Sequence, residues 1–291
     1  KVDLVPLPRD VFTRMAFERR QRMEHDAEGH SAAFICAEDL VVAKLVAFRE
    51  TESDKHLRDA QGMLRVQGDR LNIMVDCGLV QGRDRAVEET DWPIEPDQVD
   101  VLILTHAHID HIGRLPWLIK EGFRGDIICT HPTRALLAPM LKDAMGLSGL
   151  SREAAEKLWR RIDDQAWGFE FGEVFELHQG WKFSLGRAGH ILGSCWVRLM
   201  TRSGETVLFS GDLGSPGRPL LRNPEVPEAA DLLVLESTYG NRLHPPEKDR
   251  IAALGAVLAH CLADGGKVLM PVFALGRAQE LLYEMDRFFS D

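Results

Sequence analysis

From residue 71 onward the sequence predicts an α/β fold, on three observations: short β-rich apolar runs recur, helix patterns fall between them, and Gly-containing turns mark the joins. The runs lie at 71–75, 99–104, 126–129, 174–177, 181–185, 195–200, 206–210, 232–235 and 267–270. Helical periodicity is expected at 111–121, 133–145, 151–166, 246–264 and 276–289, with Gly265 and Gly266 ending the fourth helix at a left-handed position. Arg202-Ser-Gly-Glu reads as a hairpin turn between two strands.

Residues 1–71 read differently. A polar, charged segment precedes two helix patterns, at 38–50 (Glu38-Asp-Leu-Val-Val-Ala-Lys-Leu) and 53–66, with no strand alternation. This stretch is expected to form a separate helical unit. The chain starts at Lys1, and its last helix pattern runs almost to Asp291, so the sequence reads as cut at both ends.

With 291 residues, 45% of them hydrophobic and 27% charged, the chain can bury one sizeable core and a smaller second unit. No stretch approaches the roughly 20 apolar residues of a membrane span, and the N-terminus lacks a signal-peptide pattern, which makes the cytoplasm the expected compartment. Cys36, Cys77, Cys129, Cys195 and Cys261 lie in apolar contexts without CxxC pairing, which indicates core residues rather than a disulfide framework. The net charge of −10 argues against a broad basic surface for nucleic acid. Contact with a polyanion would have to be local, and two divalent ions concentrate more positive charge at one point than a patch of lysines.

The chemistry-bearing motif is Thr105-His106-Ala-His108-Ile-Asp110-His111-Ile-Gly113, directly after the apolar run 99–104. In an extended or turning segment His106 and His108 project to one side, while Asp110 and His111 at the next helix start can face a neighbouring point. Imidazole and carboxylate suit zinc. Four ligand-type residues within six positions are hard to explain as core filling, since each would have to be buried or solvated to no purpose. His190 in Gly189-His-Ile-Leu-Gly-Ser and Asp212 in Ser210-Gly-Asp-Leu-Gly each follow a strand pattern and sit beside glycines. With the tetrad they offer a third His for one metal and a carboxylate to bridge two.

Asp76-Cys-Gly-Leu, the His106/His108/Asp110/His111 cluster, His190 and Asp212 together resemble the first four motifs of the metallo-β-lactamase superfamily, over about residues 72–240. The resemblance implies an αββα sandwich with two zinc ions: one on His106, His108 and His190, the other on Asp110 and His111, with Asp212 bridging. It implies that Asp76 fixes the motif loop from behind. Glu236-Ser-Thr-Tyr-Gly-Asn-Arg and Pro271-Val-Phe-Ala-Leu-Gly-Arg277-Ala-Gln-Glu are similar to the acidic motif and the cap opening of the β-CASP subgroup, whose members process RNA or DNA. In that subgroup the residue at the position of Glu236 supports the metal site, so Asp110, Asp212 and Glu236 form the implied catalytic set. Gly276 and Arg277 at a helix start are candidate phosphate contacts. His131 reads as structural, and His178 and His260 as surface residues.

The expected activity is zinc-dependent cleavage of phosphodiesters in single-stranded RNA, by a protein able to form a homodimer. Three domains are expected: 1–71, 72–244 and the start of a cap at 245–291. Two departures accompany the resemblance. The family's first strands and its last zinc-binding and leaving-group histidines have no counterpart here. Residues 38–45 and 56–69 instead resemble the C-terminal helices of nucleotidyltransferase-like toxin–antitoxin proteins. The alternatives are a small-molecule hydrolase of thioesterase or lactonase type, and an inactive fusion.

Overall fold

The computed structural model describes residues 21–24, 31–34, 71–79, 92, 94–238 and 247–290. The chain divides into two compact units, Lys1–Asn72 with Asp91–Gln98, and Ile73–Thr90 with Val99–Asp291. In the first, β1 (Gln21–Glu24) pairs antiparallel with β2 (Ser31–Phe34). A strand pair here corrects the expectation of a purely helical segment: four residues are too few to display a period-2 pattern, so neither strand was legible. The helix patterns at 38–50 and 53–66, and Cys36, lie outside the described residues.

The second unit holds two sheets. The first is all parallel, in the order β3 (Ile73–Val75), β4 (Val101–Ile103), β5 (Asp126–Thr130), β6 (Ala166–Phe169). Val101, Leu102 and Ile103 are all fully buried, as expected of a parallel strand covered on both faces. The second sheet runs β11 (Leu232–Val234), β10 (Thr206–Phe209), β9 (Cys195–Met200), β8 (Lys182–Arg187), β7 (Val174–Glu176). It is antiparallel except for β10 with β11. Along β9 the buried residues Cys195, Val197 and Leu199 alternate with half-buried Trp196, Arg198 and Met200. The sheets meet at an aromatic cluster in which Phe169 of β6 packs edge-on against Phe175 of β7 and Phe183 of β8, with centroids 4.7 and 5.0 Å away.

Helices α1 (Ile109–Ile112) and α2 (Leu115–Lys120) follow β4. Helices α3 (His131–Leu147) and α4 (Arg152–Gln165) follow β5 and pack on the parallel sheet. Thr130 and Ser151 cap the last two, accepting the backbone N–H of Thr133 and of Ala154. Helices α5 (Glu247–Asp264) and α6 (Arg277–Ser290) complete the described chain. No helix among the described residues is long and apolar enough to cross a membrane.

The observed elements follow the expected α/β alternation with two corrections. The end of the run assigned to a helix at 151–166 opens β6, which was not expected. Residues 267–270, expected as a strand, form none, and Leu269 is 91% exposed. A strand needs a neighbour for its N–H and C=O groups, and no described strand pairs with this segment. Gly265 does adopt the left-handed conformation, at φ 68°, and Gly204 in the hairpin has φ 100°.

Candidate metal centre

The centre is built at the C-terminal ends of β3 and β4 and on two loops of the second sheet. After β3, Asp76 turns the chain in the left-handed region, at φ 60°. Its carboxylate then accepts three hydrogen bonds from the next strand's motif: Thr105 N–H at 2.7 Å, Thr105 Oγ1 at 2.7 Å and His111 Nδ1 at 2.7 Å. Two residues later Gly78 lies so close to α1 that a Cβ would fall 1.4 Å from the Asp110 carbonyl oxygen, which admits only glycine. Cys77 N–H donates to the His111 carbonyl at 2.7 Å, joining the two segments.

The second sheet contributes two loops. Ser194 Oγ accepts the N–H groups of His190 and Ile191, closing the His190 loop on itself. Thr130 and Thr133 at the start of α3 both donate to the Gly193 carbonyl. Asp212 follows β10, and Glu236 accepts the N–H of Leu213 at 2.7 Å, so its carboxylate fixes the turn that carries Asp212.

These segments bring five side chains together. The rings of His106, His108 and His190 form a nearly equilateral triangle, with centroids 4.9 to 5.0 Å apart and interplanar angles of 78 to 83°. His108 Nδ1 lies 3.1 Å from both His106 Nε2 and His190 Nε2. The donor atoms of His106, His111 and Asp212 form a second group; in both groups they lie within 4.8 Å of one another. Asp212 faces both: Oδ2 is 3.5 Å from His190 Nε2, and Oδ1 is 3.4 Å from His111 Nε2.

The outward nitrogens decide what the inward ones are. Thr105 Oγ1 gives its hydrogen to Asp76 and therefore accepts from His106 Nδ1 at 3.1 Å. Asp76 accepts from His111 Nδ1, and the Leu275 carbonyl accepts from His108 Nε2 at 3.3 Å. A carboxylate or carbonyl can only accept, so in the neutral rings the proton sits outward on all three histidines and a lone pair points inward. The lone pairs of His106 Nε2 and His108 Nδ1, facing one another at 3.1 Å, repel unless a cation lies between them. With Zn–N bonds of about 2.0–2.1 Å, two nitrogens of a tetrahedral site are about 3.3 Å apart, close to the spacing seen. The residues fit a metal.

At His106 and His190 the electrostatics agree. Burial, followed by the neighbouring imidazoles, holds His106 far below its ordinary value and hence neutral. Burial likewise lowers His190. At His111 burial also opposes charge, but hydrogen bonds to Asp212 and Asp76 outweigh it and raise the group to about 10. The His111 hydrogen bond in turn lowers Asp212, against its burial.

Of the predicted site residues, His106, His108, His111, His190, Asp212 and Asp76 converge as described, and Glu236 acts on the Asp212 turn. Asp110 belongs to neither group and is exposed on α1. Gly276 N–H is taken by Gln279 Oε1 at 2.7 Å, and Arg277 Nη1 pairs with Glu280 at 3.1 Å. A phosphate at this helix start would have to displace both. His131, His178 and His260 are exposed and lie outside both groups. Cys77, Cys129 and Cys195 are buried. Sequence reasoning missed Thr105, Ser194, Arg218 and Glu280. Thr105 precedes His106 and Ser194 ends the His190 turn, and both were findable from those motifs.

Two sheets with helices on the parallel one and a His/Asp cluster at strand ends define a metal-binding α/β protein. The chain belongs to the metallo-β-lactamase superfamily, whose profile matches residues 63–253. It is 36% identical over 241 residues to a protein named Ribonuclease TTHA0252 from Thermus thermophilus, covering 81% of this chain and 52% of that protein. Against Cleavage and polyadenylation specificity factor 73 of Drosophila melanogaster it is 37% identical over 238 residues, 78% of this chain and 34% of the other. Against Transcription termination factor FttA of Cenarchaeum symbiosum it is 36% identical over 229 residues, 74% and 35% of the respective chains. The names of these relatives accord with the β-CASP resemblance that the sequence carries. The chain spans about half the length of the first relative and about a third of the other two.

Proposed function

We propose that the chain carries a two-zinc centre that hydrolyses phosphodiesters in RNA. The convergence of His106, His108 and His190 beside His106, His111 and Asp212 carries this reading, in a chain more than one third identical to proteins named as ribonuclease and cleavage factor. His106 Nε2, His108 Nδ1 and His190 Nε2 would hold one ion, and His111 and Asp212 the other, with Asp110 turning inward to complete it. When bound, the metal would supply Lewis-acid charge for the phosphoryl oxygens and make a water acidic enough to react near neutral pH.

The chain's own residues do the positioning. Asp76 and Thr105 orient His106 and His111, Glu236 fixes the turn of Asp212, and Asp212 itself is placed to orient a water between the two groups. The inner side chains are poorly exposed, 18% for His111, 25% for His190 and 28% for Asp212. A phosphate must therefore reach between loops, which favours a flexible single strand over a duplex. With a net charge of −10, binding would depend on this point rather than on a basic surface. The proposal includes a cytoplasmic location. It also includes self-association through sheet ends such as β3 or β11, which end their sheets among the described residues. The division at 1–71, 72–244 and 245–291 is proposed too, with the first segment outside the hydrolase core.

The test is cleavage of single-stranded RNA by the zinc-loaded chain, beside a thioester and a lactone under the same loading. RNA cleavage that disappears in His190→Ala is expected. Thioester or lactone turnover exceeding RNA cleavage would replace the substrate class while keeping the centre.

A further inference from the structure

Besides the Phe273 ring, whose centroid lies 6.0 Å from that of His108, the loop between α5 and α6 and the first turn of α6 touch the three-histidine group at three places. The Leu275 carbonyl accepts from His108 Nε2. Gly276, at φ 89°, lies against Ile191, the residue after His190, where a Cβ would come within 2.8 Å of Ile191 Cγ2. The third contact is an ion pair. Arg218, on the loop between β10 and β11, donates from Nη1 to the His190 carbonyl at 2.6 Å and from Nη2 to Glu280 Oε2 at 2.7 Å. Its Nε is 2.5 Å from Glu280 Oε1, an ion-pair contact whose direction falls outside hydrogen-bond geometry. The two side chains are only 16% and 11% exposed.

The energetics argue that this pair does more than fasten α6. Desolvating two charges offsets most of their attraction, so a buried pair adds little stability over apolar residues of the same size. What a guanidinium adds and an apolar contact cannot is a fixed fork: Nη2 donates to Glu280 while Nη1 is aimed at one backbone oxygen. That oxygen belongs to His190. The N–H of His190 is already held within its own loop by Ser194, so the Arg218 bond is what ties the residue's backbone to α6.

We propose that Arg218 and Glu280 are positioning residues for the His106/His108/His190 group, their ion pair linking α6 to the His190 backbone and holding the His190 ring in register with His108. The inference rests on the metal-site reading above. It makes the α5–α6 segment part of the metal centre's assembly, although none of its side chains is a proposed ligand.

The experiment is zinc affinity of the full chain by competition with a chromophoric chelator, beside the visible spectrum of the cobalt-substituted chain and the melting temperature of the metal-free chain. Residues that orient metal ligands typically change affinity 10- to 100-fold when removed. Glu280→Gln and Arg218→Lys should each weaken the tightest zinc by about 10-fold or more and alter the cobalt spectrum. Arg218→Gln combined with Glu280→Gln, which removes both charges of the buried pair and releases only the exposed Arg277 from Glu280, should keep the metal-free melting temperature near that of the unaltered chain while zinc binding stays weak. If that double variant does not fold, Arg218→Lys decides alone, because it retains the charge and loses the fork. Affinities within twofold of the unaltered chain in Arg218→Lys and Glu280→Gln would overturn the proposal alone. No zinc binding by the unaltered chain would overturn the metal-site reading and this proposal with it.

Discussion

The motif region from β3 to α1 and the segment Glu247–Ser290 both reach the histidines, but they are held by different means. In the first, Val101 to Leu104 are fully buried and Asp76 alone makes three hydrogen bonds into the motif. In the second, Leu262, Leu269, Phe273, Leu282 and Phe289 are all more than half exposed, and the contacts to the histidine loops are few. The motif region's geometry is over-determined by packing and cannot change without loss of fold. The α5–α6 segment meets the site at a few polar points, where metal binding and stability can be moved separately.

The largest effect should come from Gly78→Ala. The added Cβ meets backbone at 1.4 Å, which no rotamer relieves, so a loss of about 3 kcal/mol or more is expected, read as a fall in urea midpoint. A midpoint close to that of the unaltered chain would show that the 76–79 loop is free to move away from α1. Next comes Asp76→Ala, which orphans two donors of the motif and releases His111. Stability should fall by about 2–3 kcal/mol and zinc affinity by about 10- to 100-fold, measured by melting and chelator competition. If only stability changed, Asp76 would be a fold residue and not a support of the site.

A smaller effect is expected from pH in the metal-free chain. His111 is raised to about 10 from an ordinary value of 6.5, so its contribution is complete below pH 6.5 and is lost as pH climbs toward 10. His106 is lowered, so its contribution is present above 6.5 and is lost as pH falls below that value. The two trends give a maximum of melting temperature near pH 6.5. Zinc must also displace the His111 proton, so its binding at the second group should strengthen with pH and release a proton, visible by calorimetry in buffers of different ionisation enthalpy. A melting temperature that keeps rising from pH 6.5 to 9 would contradict the His111 assignment. The smallest effect should come from Leu269→Ser, within about 0.5 kcal/mol, since the side chain is 91% exposed.

The convergence of the candidate ligands was legible because ligand chemistry restricts residue type and strand ends restrict place: His106, His108, His190 and Asp212 each follow a strand with glycine or turn residues beside them. Asp110 was read as an inward ligand from its adjacency to His111. Consecutive residues on a helix point about 100° apart, so with His111 facing Asp212 the Asp110 side chain lies exposed and would have to rotate inward to reach the proposed second ion. Strand β6 was hidden because the helix before it runs straight into Ala166 with no breaking residue. The Arg218–Glu280 pair left no trace, since its partners lie 62 residues apart and each alone reads as a surface charge. Local chemistry can be read from a sequence, but contacts across the fold require the fold.

The most direct test of the central claim is metal content with X-ray absorption at the zinc edge, on the chain loaded with zinc and freed of excess, beside His108→Ala and His190→Ala. Two zinc ions per chain are expected, matching the two donor groups, in a nitrogen- and oxygen-only shell containing several imidazoles. Each variant should lose the ion of the three-histidine group. Zinc content below one ion per chain, or content and shell unchanged in both variants, would contradict the account.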